Sequence, residues 1–360
     1  MRRAVLIAAL LLLLSAPCAA RGELGEQLGL GALERAGRSY GAEVELTDAL
    51  RPEDGLRALA ARARAALPSI RKEAVKTALT LASIVLLCSL AEGMNGAGEA
   101  GGFPAPRVAG AIALTAVSAG AIHGMIGLGR ETIGQMHSFS QALLPAMAAC
   151  MAAGGGVTGA AARQMATAAF AELLMGVIDR VLVPLIYVHL ACCCAYAAVG
   201  NRGLKQVAGL IRSAVHTALT TLLIAFTAYL TVSGAIAGTA DAAAVKATRT
   251  AIAGAVPVVG RILSDAAETL LVSAGILKNA AGLFGMITVL ILCLVPFLRL
   301  GAKYLIYKAC AALCATVADE RLAGLIEGIG KAFGMILGMT GACAVLLLIA
   351  IVSAMLGGTG

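Results

Sequence analysis

Long apolar runs alternate with short polar breaks along the chain after residue 74. Seven runs are long enough to cross a bilayer, whose hydrocarbon core needs about 20 helical residues. These runs are 74–91, 108–128, 138–162, 181–199, 214–237, 280–298 and 333–356. The pattern predicts an all-α, polytopic transmembrane protein.

The remaining stretches of this pattern are shorter or more polar. An eighth run, 304–317, contains Lys308 and is short, which favours a re-entrant or tilted segment over a full span. Residues 201–212 and 319–331 are typical of amphipathic helices that lie in the membrane interface. We therefore expect about seven to eight membrane segments together with interfacial helices.

Composition places this chain in a membrane rather than in water. Hydrophobic residues make up 60% of the chain and charged residues 13%, whereas soluble domains carry about 25% charged residues. The formal net charge is +8, and the cations are spread over positions that flank the apolar runs. Because they form no single basic field with interleaved aromatic residues, nucleic acid is not expected as a partner. Membrane lipid with anionic headgroups is the expected partner of these cations.

The N-terminus has the pattern of an export signal. Two arginines precede an apolar run, and small residues follow this run up to Ala20. These features predict a signal peptide over residues 1–20 that is cleaved after Ala20. Residues 21–73 alternate acidic and basic blocks, and we expect a short, soluble, extracytoplasmic helical region there. Residues 74–360 form the predicted polytopic membrane domain.

The most polar part of this membrane domain is the region 239–279. A helix that begins near Pro257 would place Arg261, Asp265 and Glu268 on one face. Pro257 suits a helix start because it has no N–H to leave unpaired, and Gly260 permits close approach of neighbouring backbone. This face is either the solvated side of an interfacial helix or a buried, pore-lining element. The candidate contact or gating residues are Pro257, Gly260, Arg261, Asp265, Glu268, Lys278 and Asn279.

Glycines form two further candidate features. One set recurs one helical turn apart near the C-terminus, which allows close helix contact in lipid. The other is a run that breaks its apolar segment, and unwound backbone at membrane depth needs cover by protein or water. A hinge or permeation element is one interpretation, and packing within one subunit or between copies in a homo-oligomer is the other. The candidate helix-packing or hinge residues are Gly154, Gly155, Gly156, Gly330, Gly334 and Gly338.

No catalytic, cofactor-binding or metal-binding pattern is readable in the sequence. Residues 324–331 look like a phosphate-binding loop, but the glycine-to-lysine spacing is wrong and Ala332 replaces the required hydroxyl residue. All ten cysteines except Cys18 lie in apolar runs, where cysteine acts as a small hydrophobic residue. We therefore expect no enzymatic activity and no cofactor. Ionisable residues inside apolar runs are still functional suspects, and these are His123, Asp179, Arg180, His189 and His216.

A specific motif occupies residues 254–279. It reads GAVPVVGR over 254–261, followed by Asp265, Glu268-Thr269 and Leu277-Lys278-Asn279. Further motifs are Leu143-Leu144-Pro145, the glycine-rich 154–159, Val183-Pro184-Leu185-Ile186 and YLIYK over 304–308. Together with the export leader and the short soluble region, they strongly resemble the stage III sporulation protein AE family of endospore-forming bacteria. The resemblance covers nearly the whole chain after the leader, although Glu268 stands where the family has Asp.

The resemblance implies a role in sporulation rather than a reaction. Members of this family are encoded with other sporulation membrane proteins of the mother cell. They contribute to a secretion-like channel that joins the mother cell to the engulfed forespore and is needed for late forespore gene expression. The resemblance thus implies a multi-pass protein of the mother-cell membrane around the forespore. The expected partners are the other stage III sporulation membrane proteins of this channel, including a partner ATPase.

An autonomous small-molecule transporter is the alternative function. A transporter built from inverted repeats should carry paired broken helices in its two halves. Residues 154–156 and 254–260 form a loose pair of this kind. Copurification with other sporulation membrane proteins would distinguish the two functions.

Overall fold

The structure of the chain, a computed structural model, describes residues 29–40, 52–95, 105–153, 157–255, 260–316 and 319–356. Within these ranges all regular structure is helical and no strand occurs. The helices are α1 (Leu30–Ser39), α2 (Pro52–Asn95), α3 (Ala105–Ala153), α4 (Val157–Val177), α5 (Val183–Val199), α6 (Arg202–Ala255), α7 (Gly260–Cys314) and α8 (Glu320–Leu356). A π-helical turn (Ile178–Leu182) joins α4 to α5. The predicted all-α class is confirmed.

Six helical segments in the described part of the chain are long and apolar enough to cross a membrane. They are Glu53–Met94, Val108–Ala153, Gln164–Val199, Arg202–Val232, Val272–Cys314 and Glu320–Leu356. This confirms a polytopic helical protein, with fewer and longer segments than the sequence pattern suggests.

The segments are longer because polar residues between two apolar runs do not interrupt the helix. In α3 the polar stretch 129–137 stays helical because it contains no proline, and Ile133 and Met136 are buried on the inner side. In α7 the short run that begins at Tyr304 continues the helix that precedes it. The expected connector helices are likewise the beginnings of α6 and α8. Local polarity therefore marks an exposed face here, not a break in the backbone.

The pair α7 and α8 forms the centre of the bundle, and α8 is the most buried of the six segments. Glycines of α8 face aromatic residues of α7: Gly330 lies against Tyr307, and Gly334 lies against Tyr304. The Tyr307 hydroxyl donates a hydrogen bond of 3.0 Å to Ser118 of α3. Because the glycines carry no Cβ, the α7 backbone at Tyr307 and the Tyr304 ring can pack directly on the α8 backbone.

An ion pair with a buried lysine joins α2 to α7. The Lys303 ammonium lies 2.8 Å from the Glu73 carboxylate, and it donates a second hydrogen bond of 3.0 Å to the Thr77 hydroxyl. The side chain of Lys303 is only 7% exposed. α2 runs without interruption past residue 74, where the sequence places the start of the membrane domain. The division into a soluble region and a membrane domain stays a prediction.

The short helix α1 packs on the bundle. Leu33 is fully buried, and Gly37 lies against the ring of Phe284 in α7. Tyr40, directly after α1, makes an edge-on contact with Phe139 of α3, with ring centroids 6.4 Å apart. This part of the N-terminal region is therefore held by apolar contacts with α3 and α7.

A tight glycine turn connects α5 to α6. Gly200 has a φ of +79°, which side chains other than glycine rarely adopt, and its N–H donates to the Tyr196 carbonyl at 2.8 Å. The Asn201 side chain accepts a 2.8 Å hydrogen bond from the Gly203 N–H. The connection from α7 to α8 lies at the same end of the bundle, because Lys205 pairs with Glu320 there.

Candidate functional site

The polar signature region is described only in part. α6 ends at Ala255 and α7 begins at Gly260. Pro257 lies between them, outside the described residues. The backbone of Arg261, Asp265 and Glu268 belongs to α7, but their side chains lie outside the described part of the structure. The glycine run 154–156 also lies outside the described residues. The contact, gating and hinge roles assigned to these positions stay predictions.

Two signature residues further along α7 are described fully. Lys278 is 4% exposed, whereas the neighbouring Asn279 is exposed. Adjacent residues on a helix point about 100° apart, so the two side chains lie on different sides of α7. Lys278 faces the interior of the bundle, and Asn279 is the one available to another molecule.

The C-terminal glycines contact two different helices. Gly330 and Gly334 face α7, as described above, while Gly338 lies toward Leu219 of α6. A Cβ built at Gly330 would lie 3.1 Å from the Tyr307 Cβ, and one at Gly338 would lie 3.9 Å from the nearest Leu219 methyl. The first contact is tight, and the second is an ordinary van der Waals contact.

A cluster of ionisable residues lies on one side of the bundle, and we call Arg130, His137, Glu172 and Asp179 the lateral polar face. Arg130 of α3 forms a 2.8 Å ion pair with Asp179 in the π-helical turn. The Nε2 atom of His137 lies 3.2 Å from the Glu172 carboxylate of α4. Three of the four side chains are at least 39% exposed, and Glu172 reaches 69%. These charges therefore face outward from segments that are otherwise apolar enough to span a membrane.

The π-helical turn that carries Asp179 has a local cause in the sequence. Pro184 follows at the start of α5, and proline can neither donate a hydrogen bond to Arg180 nor pack closely against its carbonyl. A wider turn before the proline removes both conflicts. Asp179 thereby reaches Arg130 on the neighbouring helix. The neighbouring suspect Arg180 is exposed.

Three helices meet at His189. Its Nδ1 atom lies 3.0 Å from the Ala208 carbonyl oxygen of α6, and its Nε2 atom lies 3.1 Å from the Gly328 carbonyl oxygen of α8. The residue is 2% exposed. Both partners are acceptors, so only the doubly protonated ring can donate to both, while a neutral ring donates to one. The other two suspect histidines, His123 and His216, are exposed.

Beside His189 is an open cleft between α5, α6, α7 and α8, which we call the end cleft. Its volume is about 420 Å³. The charged residues that line it are Lys205, Arg212, Lys308, Glu320, Glu327 and Lys331. Lys205 pairs with Glu320 at 3.3 Å, and Lys331 pairs with Glu327 at 2.9 Å. Four cations and two acids give the cleft a basic excess.

The sequence identifies only some of these residues. His189 stands out because it is ionisable inside an apolar run, and Asp179 because it is ionisable at the start of the same run. Arg130, Glu172 and Arg212 were missed because they lie in polar breaks or near run ends, where a charge is ordinary. Helical periodicity shows that a residue faces outward, but it contains no information about which helix lies opposite.

Comparisons with known proteins agree with the resemblance seen in the sequence. The model of the family described as stage III sporulation protein AE matches residues 69–358. Stage III sporulation protein AE of Bacillus subtilis (strain 168) is 27% identical over 191 residues, which cover 53% of this chain and 48% of that protein. The chain thus spans about half the length of this curated relative. No solved structure matches.

Proposed function

Because this chain belongs to the stage III sporulation protein AE family and has a role in sporulation, we propose that it is a membrane subunit of the channel between mother cell and forespore. In this proposal the protein resides in the mother-cell membrane that surrounds the forespore. It assembles with the other stage III sporulation membrane proteins, and a partner ATPase supplies energy. The chain has a binding or conducting role and catalyses no reaction.

The lateral polar face is the observation that supports a subunit role. Charged side chains in the hydrocarbon core are costly, and in membrane proteins they face other protein or a water-filled cavity. Arg130 is 55% exposed and Glu172 is 69% exposed in the isolated chain, on segments apolar enough for lipid. A neighbouring subunit, or a water-filled space shared with one, would cover these charges. A chain that functions alone would leave these charges uncovered on the outside of the bundle.

The signature residues are a second candidate contact surface. Arg261, Asp265 and Glu268 share one side of the beginning of α7 by their spacing, and Asn279 further along this helix is exposed. We assign to them the contact or gating role, with Pro257 and Gly260 shaping the start of the helix. The buried Lys278 belongs to the interior of the bundle rather than to this surface.

A crosslinking experiment tests the subunit role. The full chain carries a photoreactive residue at Glu172 on the lateral polar face, or at Leu79, which is 64% exposed on α2, as the control position. After illumination of sporulating cells, the Glu172 position should give adducts with other stage III sporulation membrane proteins, and the Leu79 position should give fewer. The tagged chain should also copurify with these proteins from mild detergent.

The alternative function predicts a different result. An autonomous transporter would copurify with none of these proteins and would move a small solute across liposomes that contain the chain alone. Lack of copurification together with such transport would contradict the channel proposal.

A further inference from the structure

We propose that the end cleft binds a phosphate-bearing anion, with the headgroup of an acidic phospholipid as the source that its surroundings favour. This assignment is independent of the channel role, because it rests only on the geometry and charge of the cleft.

The cations of the end cleft come from three different helices. Lys205 and Arg212 belong to α6, Lys308 belongs to α7 and Lys331 belongs to α8. Convergence from separate helices holds the positive charges around a common space, which a basic stretch on one helix would not do. Lysine and arginine are also the residue types that bind phosphate. The lysine ammonium acts as a point charge, and the planar arginine guanidinium can donate two parallel hydrogen bonds.

Two of these cations are not neutralised by any acid that the structure describes. Lys205 and Lys331 form ion pairs with Glu320 and Glu327. Within the described part of the chain, Arg212 and Lys308 form no ion pair, and Lys308 instead lies 5.7 Å from the ring centroid of Tyr304. An anion in the cleft would therefore meet two cations whose charge no described acid neutralises.

Small residues create the space for this anion. The inner wall consists largely of alanine and glycine, so the helices can surround a volume of about 420 Å³. This lies within the roughly 300–1,000 Å³ typical of small-molecule sites. The small wall residues are Ala208, Gly209, Ala311, Ala312, Ala315, Ala323, Gly324 and Gly328.

Exposed apolar side chains beside the cleft favour a lipid over free phosphate. Leu210 of α6 is 70% exposed, and Leu313 of α7 is 71% exposed. In the sequence they come directly after Gly209 and Ala312, which line the cleft. Acyl chains can lie along such residues while the phosphate group occupies the basic space. Basic pockets between membrane helices bind acidic headgroups in this way.

A thermal unfolding experiment on the purified full-length chain in detergent tests the proposal. The probes are phosphatidylglycerol, phosphatidylcholine and inorganic phosphate, each added in increasing concentration. We expect phosphatidylglycerol to raise the unfolding temperature more than phosphatidylcholine does. The variant Arg212→Gln/Lys308→Gln breaks no ion pair in the described structure. For this variant, the phosphatidylglycerol concentration that gives half of the maximal increase in unfolding temperature should be about tenfold higher or more.

A second variant controls for the loss of two positive charges. Arg180→Gln/Arg299→Gln removes two exposed arginines that lie outside the cleft, and it should respond to phosphatidylglycerol like the unaltered chain. If inorganic phosphate alone gives the full, cleft-dependent effect, the anion site is supported and its source is a soluble phosphate. An unchanged response of the cleft variant, or an equal loss in the control variant, would overturn the proposal.

Discussion

The Nε2 atom of His189 lies 3.1 Å from the carbonyl oxygen of Gly328, 139 residues further along the chain. Its Nδ1 atom approaches the Ala208 carbonyl, so one buried side chain links α5, α6 and α8. Gly328 also lies close to Cys193 of α5. A Cβ built on Gly328 would be 2.5 Å from the Cys193 Sγ atom. The absence of a side chain at Gly328 lets α5 approach α8 closely, and at this distance the histidine reaches the α8 backbone.

His189→Ala should destabilise the bundle. The change removes a buried hydrogen-bonding group that joins three helices and leaves a cavity, at a cost of about 2–3 kcal/mol. The unfolding temperature in detergent should fall by several degrees. His216→Ala, which alters an exposed histidine of α6, is the matched control. An equal effect of both substitutions would contradict the linking role.

Glu73→Ala should destabilise the protein more than Lys303→Met does. Without Glu73 the buried Lys303 ammonium keeps one partner among the described residues, the Thr77 hydroxyl. An incompletely paired buried charge is unfavourable by about 1–3 kcal/mol. Without Lys303, the half-exposed Glu73 carboxylate can still be hydrated.

Thermal unfolding of both variants gives the comparison, with Glu53→Ala on the exposed start of α2 as the control. If Lys303→Met destabilises the protein more than Glu73→Ala does, the incompletely paired charge of Lys303 is not the main cost of breaking this ion pair.

Gly330→Ala should weaken the contact between α7 and α8, whereas Gly338→Ala should be nearly neutral. A methyl at Gly330 would lie 3.1 Å from the Tyr307 Cβ and 3.6 Å from the Lys308 backbone nitrogen, neither of which can rotate away. Overpacking of this kind costs about 1–3 kcal/mol. At Gly338 the nearest atom is a flexible leucine methyl at 3.9 Å. Thermal unfolding in detergent measures both, and equal stability of the two variants would show that α8 can shift to accept the methyl.

Arg130→Leu combined with Asp179→Leu should leave membrane insertion intact but lower spore yield at least tenfold. The double change removes both members of the 2.8 Å pair, so no unpaired charge remains to destabilise the bundle. What it removes is the charged surface proposed to meet another subunit. Spore counts and immunoblots of membrane fractions provide the two measurements, with Arg299→Leu as an exposed-charge control. Normal spore counts from the double variant would remove the argument for a subunit contact at this face.

Arg261→Ala combined with Asp265→Ala should also block spore formation while the protein still inserts. These residues belong to the motif over 254–279 by which the sequence resembles the family, and they are our candidates for contact or gating. Heat-resistant spore counts measure the effect, and Asn279→Ala tests whether the surface extends along α7. Normal spore yield from the double variant would refute the assignment.

The class and family of this protein follow from the sequence alone. Runs of apolar residues with 13% charge predict membrane helices, because backbone groups in lipid must be paired within the segment itself. The motif over 254–279 similarly indicates the family, since it is local and needs no knowledge of contacts. The length of the helices could not be predicted from the sequence. α3 continues through Arg130 and His137, although the polar stretch that contains them separates two apolar runs.

Only the tertiary structure shows which charges face outward and which are enclosed. Lys303 and Arg299 lie four residues apart on α7, yet the first is buried and paired with α2, and the second is exposed. The end cleft likewise combines Lys205 and Arg212 of α6 with Lys308 and Lys331 of α7 and α8, which lie at least 96 residues further along the chain. A sequence determines the faces of each helix through its 3.6-residue period, but the neighbour of each face depends on how all the helices pack together.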